Sequence, residues 1–377
     1  MPYGNINVDT VTTSTSGGIL GAGNASIMKN RIINGAMVID QRNAGASVTA
    51  TSDNQYSVDR WAGWGQGGTG GGSKYTMQQN AGSVTAPVGF YNYLGVTSLS
   101  AYSVQAGDYY SVAQAIEGLN TLDLGWGTSD AKTVTLSFWV RSSLTGTFGG
   151  ALQNSARNRC YPFTYTISSA NTWTQVSVNV TGETSGTWVK TNGVGILLVF
   201  GLGVGSTYSG TAGSWSTSNL WSATGATSVV GTNGATFYIT GVQLEVGSSA
   251  TGFEYRLYNQ ELSACQRYYF RLTNDSGGTI TLANLQAYSA GAAFGKILDL
   301  PVQMRSTPTG TLSAIGSFNP SNTAGAGLGA FSSGSIDSVT KNILGTGGFG
   351  GSSGLTGGNC TGILMVNNAW LAVSAEL

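Results

Sequence analysis

The sequence predicts an all-β protein: a jelly-roll sandwich plus a distal β-domain, joined by a short helix. Three observations predict it. Short runs of β-branched and aromatic residues alternate with polar ones, the period of a half-buried strand. Clusters of Gly, Ser, Thr and Asn separate those runs, and glycine supplies 58 of 377 residues, about twice its usual share of ~7%. Only 257–271 changes to a helical period.

Residues 1–30 are polar and small, and the stretch 9–18 can bury little surface. Such a segment orders only when something holds it, for example by adding a strand to another protein. Residues 31–256 read as the sandwich. In 134–141, Val134, Leu136, Phe138 and Val140 face one side, and Thr135, Ser137, Trp139 and Arg141 face the other. In 173–180 the valines point to the core, while Trp173 and Gln175 do not. In 235–246 the apolar parity switches near Gly241, from Phe237 and Ile239 to Val242, Leu244 and Val246, which predicts a β-bulge. Tyr258, Leu262, Cys265 and Tyr269 share one helical face, so 257–271 reads as a connector helix of about four turns. Residues 272–377 return to β. Pro301 ends or edges a strand, 319–359 is loop-like, and 364–366 and 370–377 are strands.

Composition excludes several functions. The chain carries 16 basic and 16 acidic residues, a charged share of 8% against the usual ~25%. Zero net charge leaves no basic footprint for nucleic acid and no cationic face for anionic lipid. The longest apolar run, 195–201, is far short of the ~20 residues needed for membrane insertion. The first residues lack a basic segment followed by an apolar one, so no secretory signal is expected. Cys160, Cys265 and Cys360 lie too far apart for a zinc site or a disulfide framework, and read as small buried apolar residues. Histidine is absent, which removes Ser-His-Asp and Cys-His catalysis and imidazole-ligated metals from this chain.

A series of short strings carries a resemblance. In order they are 30–37 (NRIINGAM), Gln41-Arg42, 56–61 (YSVDRW), 114–119 (QAIEGL), 138–140, Asn171-Thr172-Trp173 and Gly186-Thr187-Trp188. They continue with 241–247 (GVQLEVG), 253–256 (FEYR), 265–269 (CQRYY), 301–305 (PVQMR), 307–309 and Ala375-Glu376-Leu377. The ordered set, over about 30–377, resembles bacteriophage tail-fibre and related virion-fibre proteins with a carbohydrate-binding-module-like β-sandwich. The resemblance implies a structural virion protein, a homotrimer, with 1–30 anchored on a tail or head adaptor protein and the distal domain outward. It assigns no ligand residues.

The residues themselves favour binding over turnover. Sugars are held by flat rings stacked on their apolar faces and by polar groups for their hydroxyls. Trp64, Trp126, Trp188, Tyr208, Trp215 and Trp221 sit in Gly/Ser/Thr-rich surroundings that predict surface exposure, and Trp139, Arg141, Trp173 and Gln175 share the polar faces of two strands. These are the glycan candidates, although any one indole in a sandwich is more often packing material. A glycosidase needs two carboxylates ~5–9.5 Å apart. Asp53, Asp59, Asp108, Glu117, Asp123 and Glu245 are the candidates. Asp59 beside Arg60 reads more simply as an ion pair or turn former, and Glu117 as a turn acid. Carbohydrate-binding sandwiches of this kind often hold a structural Ca2+, for which Asp53, Asn54, Asp59 and Glu245 are conceivable ligands, but no Asp-x-Asp cluster occurs. The glycine run 67–72 lacks the Lys-Ser/Thr of a phosphate loop and reads as a turn. The expectation is a non-enzymatic subunit without cofactor, located on the virion and binding a host surface glycan. A head-mounted decoration fibre is the alternative, and a glycan depolymerase a more distant one.

Overall fold

The computed structural model describes residues 29–65, 71–289, 292–321, 330–336, 338–352, 355 and 357–377. The expected anchor, apart from its last two residues, and most of the glycine run 67–72 lie outside the described residues. No described helix is long and apolar enough to cross a membrane.

The larger module contains strands β1 (Val48–Thr49), β2 (Gln55–Tyr56), β3 (Ala62–Trp64), β4 (Tyr75–Gln79), β5 (Leu94–Ser98), β6 (Tyr109–Glu117) and β7 (Val134–Ser142). It continues with β8 (Gly146–Gln153), β9 (Cys160–Ile167), β10 (Thr174–Val180), β11 (Val194–Val204), β12 (Ser209–Gly210), β13 (Ser222–Ala223) and β14 (Thr236–Val246). One antiparallel sheet runs β1-β4-β5-β14-β7-β10, and a second runs β2-β3-β6-β11-β8-β9. Non-sequential neighbours in both sheets give the crossing connections of a sandwich. The alternation in β7 produces its intended face, since Val134, Leu136, Phe138 and Val140 are at most 1% exposed. Phe138 meets Phe200 and Tyr165 edge-on at 5.0 Å each, so β7 of one sheet locks against β9 and β11 of the other.

β14 is bulged as its parity switch predicts. Its register against β7 jumps between Thr240 and Gln243, and Gly241 takes φ 61°. A Cβ at Gly241 would lie 2.6 Å from the Phe90 ring, so both conformation and space require glycine.

The smaller module has its own core, which includes Phe318, Leu344, Phe349, Ile363, Met365 and Leu371. Tyr269–Thr273, Trp370–Ser374 and Thr309–Leu312 form one sheet, and Ile280–Ser289, Ala292–Asp299, Ile343–Gly350 and Cys360–Met365 anchor another. Three expectations are corrected here. The connector helix α1 is Tyr258–Gln266, not 257–271. The aromatic run after Arg267 pairs instead with Trp370–Ser374, where ladder bonds and burial outweigh a helical spacing that Tyr269 satisfied by coincidence. The Gly/Ser-rich stretch 319–359 contains strands, among them Ser333–Ser335 and Ile343–Gly350, because side-chain-poor backbone pairs wherever Ile336, Leu344 and Phe349 anchor it. Cys160 and Cys265 are buried, with thiols pushed up by desolvation, but Cys360 is exposed.

A charged seam joins the modules. Glu376 binds Arg42 at 2.5 Å and also Arg60, which is 1% exposed and lies 3.6 Å from the Tyr268 ring centroid. Arg305 donates to the carbonyls of Ala375, Glu376 and Asn192, each at 2.7 Å. Glu117 is therefore more than a turn acid: it accepts from Arg267 at 2.6 and 2.9 Å and from the Tyr268 hydroxyl at 2.6 Å. Asp59 does not pair with Arg60; it accepts from the Gln41 backbone at 3.1 Å and side chain at 2.5 Å.

Candidate functional site

The aromatic candidates fall into three assemblies. The first lies on the outer face of the β7-containing sheet. Trp139 stands opposite Gln175 on β10 and Thr240 on β14, and Arg141 stands opposite Tyr238. The structure thus brings Trp139, Arg141, Trp173 and Gln175 onto one face, as the strand pattern required. Gln175 is exposed and the other three are half-buried. Trp173 is also held in packing: its indole N–H donates to the Thr85 carbonyl at 2.8 Å, and its ring meets Tyr93 at 5.7 Å. Arg141 donates to the Asn171 carbonyl at 2.9 Å and lies 5.3 Å from the Tyr238 ring centroid. Tyr93 and Tyr238, absent from the expected set, form the buried floor of this assembly.

The second assembly is built by the loop carrying β12 and the residues up to β13. Trp215 meets Trp126 at 5.3 Å, Trp188 at 5.7 Å and Tyr161 at 5.2 Å, all edge-on. Trp126 and Trp188 were expected at the surface, but they are 3% and 8% exposed, because they pack on each other at 4.8 Å and satisfy their N–H groups on Lys132 and Ser185 carbonyls. Trp215 stays half-buried, its N–H held by the Thr181 carbonyl at 2.7 Å. It lines an open cleft of about 520 Å³ together with Ser209, Thr211, Ser214, Ser216, Thr217 and Ser218. No charged residue lines it. The loop is pinned where Ser216 exchanges backbone hydrogen bonds with Cys160, 2.8 and 2.9 Å. The sequence signal for this cleft was a tryptophan inside a run of hydroxyl residues, 206–218.

The third assembly covers the outer face of the second sheet. Small residues there, Ala113 and Ala115 on β6, admit Trp221, which is fully buried rather than surface-lying as its Gly/Ser/Thr-rich setting suggested. Trp221 meets Trp64 at 5.5 Å and Tyr109 at 4.6 Å, and Tyr109 meets Tyr208 edge-on at 5.0 Å. Trp64 and Tyr208 are half-buried. Desolvation and the nearby Asp53 carboxylate push the Tyr109 hydroxyl up.

The acidic candidates are separately engaged. Asp53 accepts from the Gly65 amide at 2.6 Å and Tyr109 at 3.3 Å; Asp108 accepts from Tyr102 at 2.9 Å and Gln105 at 2.8 Å. Asp123 pairs with Arg31 at 2.5 Å. Glu245 accepts from Thr251 at 2.6 and 2.8 Å and from Gln243 at 2.9 Å. No group of three or more Cys, Asp or Glu side chains is placed to hold a metal among the described residues. At Glu245 the Lys29 ammonium itself lies 3.8 Å from the carboxylate and 2.9 Å from the Gly252 carbonyl.

No protein-family model matches the chain, and no curated protein does. Among solved structures it is similar to the enzymatically active domain of tailspike protein 4 of bacteriophage CBA120, at 13% identity and TM-score 0.32, covering 58% of this chain and 22% of that one. It is also similar to a carbohydrate-binding module described as CBM4, at 15% identity and TM-score 0.30, covering 57% and 98%. A third is the family 11 carbohydrate-binding module of the cellulase Lic26A-Cel5E of Clostridium thermocellum, at 12% identity and TM-score 0.25, covering 56% and 100%. The chain thus spans about a fifth of the tailspike domain. Likeness at this level carries no argument about ligand or activity. The sheets and cores described above define the class: an all-β protein of two modules, the larger a β-sandwich.

Proposed function

We propose that the chain is a phage tail-fibre subunit, a structural virion protein that binds a host surface glycan and mediates adsorption. The observation that carries the binding half is the cleft at Trp215. It offers an indole and six hydroxyl side chains, without charge, on a loop pinned to a rigid sandwich. That chemistry suits a neutral sugar, whose apolar face stacks on a ring while its hydroxyls exchange hydrogen bonds. The virion half rests on the ordered strings in 30–377, with 1–30 facing a tail adaptor. The role is adhesion without turnover: each acidic candidate is already bound to protein donors.

The homotrimer draws support from an apolar patch. Val88, Tyr91, Tyr255, Leu257 and Tyr258 are 99, 87, 61, 73 and 61% exposed. Tyr255 donates to the Gly89 carbonyl at 2.9 Å, which brings the two segments together. Large apolar side chains exposed on two adjoining segments mark a protein contact. Three copies per fibre and several fibres per particle raise avidity over single-site affinity by ~10²–10⁴.

The test is a glycan array probed with the folded protein and with Trp215→Ala. Wild-type protein is expected to retain a host-surface glycan, and the variant to lose about tenfold or more in affinity. Unchanged binding by Trp215→Ala, with loss instead on Trp139→Ala, moves the site to the strand face. Release of reducing ends from host polysaccharide overturns the binding-only role.

A further inference from the structure

Arg157 stands apart from the other arginines. Arg31, Arg42, Arg60, Arg159, Arg256 and Arg267 pair with carboxylates, and Arg141, Arg271 and Arg305 donate to backbone carbonyls. The Arg157 guanidinium has no oxygen partner among the described residues. It lies instead 5.1 Å from the Trp64 ring centroid and 4.9 Å from that of Trp221. The residue is half-buried, in the turn between β8 and β9, with φ 55°, a conformation that a side chain with a Cβ disfavours. A disfavoured backbone that holds a charge over two indoles points to a use for that charge.

We propose that Arg157, with Trp64 and Trp221, forms a subsite for the carboxylate of an acidic sugar residue. The indoles fix the guanidinium, and its N–H groups are left to meet a carboxylate in the paired geometry that arginine favours. Trp64, half-buried beside it, supplies a ring for the sugar's apolar face. The neighbouring Asp53 carboxylate is occupied by the Gly65 amide and the Tyr109 hydroxyl. The Trp215 cleft and this subsite share one loop: the Trp221 backbone amide donates to the Tyr208 carbonyl at 2.7 Å, directly before the cleft residue Ser209. The inference rests on the glycan reading and refines it: the ligand is neutral along the cleft and anionic at this end.

The experiment follows the Arg157 Nε–Hε signal by NMR in full-length protein, assigned with Arg157→Gln. Glucuronate, glucose and acetate are added at matched ionic strength. Glucuronate is expected to shift the signal and to saturate at least tenfold below acetate, while glucose leaves it unmoved. Arg157→Lys keeps the charge but not the fork, and is expected to weaken glucuronate binding about tenfold. No shift with glucuronate, or an acetate response equal to it, overturns the proposal. Failure here with intact Trp215-dependent glycan binding removes only the acidic subsite. A glucuronate response in a protein that no Trp215 change affects removes the cleft reading and leaves this one standing.

Discussion

Asp59 is buried against Gln41, and desolvation pushes its carboxyl up to about 6 from 3.8, with Arg42 opposing the shift. The folded protein therefore holds this proton more tightly than the unfolded chain. Its contribution to stability is fully present below about pH 4 and is lost as pH rises through about 6, an effect of up to about 3 kcal/mol. Urea unfolding at a series of pH values is expected to show this slope, and Asp59→Asn to flatten it. Glu117 has the opposite sign. Burial would raise its carboxyl, but hydrogen bonds from Arg267 and Tyr268 hold it below the ordinary value. Its contribution is present above that value and lost as pH falls, so acid denaturation is expected to shift to higher pH in Glu117→Gln. At this scale the sequence was a poor guide to tryptophan exposure. Trp126, Trp188 and Trp221 lie in Gly/Ser/Thr-rich segments yet are buried, because loops far apart in the chain close on them. Arg157 gave no signal, since its indole partners lie 64 and 93 positions away, at Trp221 and Trp64.

The elements were more legible. The face of β7 that carries Trp139 and Arg141 follows from period two alone, and the Gly241 bulge from a parity switch. What the pattern could not supply was the neighbour: the pairing of Gln175 with Trp139 depends on β10 lying next to β7. Gly241→Ala tests the bulge. A Cβ at φ 61° and 2.6 Å from Phe90 is expected to cost about 2–3 kcal/mol in thermal unfolding. Phe90→Ala in the same chain should relieve the clash but not the dihedral, recovering only part of the loss. The helix is shorter than its spacing predicts for a related reason: Tyr269 fits both a helical spacing and a strand, and the ladder with Trp370–Ser374 decides between them.

Across the whole molecule, two hydrophobic cores are tied by a seam of ionic and carbonyl contacts. Many of the strings that carry the virion-fibre resemblance lie in this scaffold. Asn34 ties Ile39 and Asp59, Arg42 and Arg60 hold Glu376, and Glu117 holds Arg267 and Tyr268. Those strings therefore report architecture, not ligand. Removing one partner of a buried pair leaves the other charge uncompensated, so Glu376→Ala is expected to cost about 3 kcal/mol or more and to split one calorimetric transition into two. Light scattering is expected to give three times the 38.7 kDa chain mass, and Tyr91→Lys with Leu257→Glu to return it to one.

Period-two alternation and glycine-rich breaks, set by backbone geometry within a few residues, determined that this chain is predominantly β and which side of strands such as β7 turns inward. Exposure, the Trp215 cleft and the placing of Arg157 over two indoles were decided only when distant loops closed over the sheets. Burial is a property of the surface that neighbours leave behind, and those neighbours are assembled by the fold.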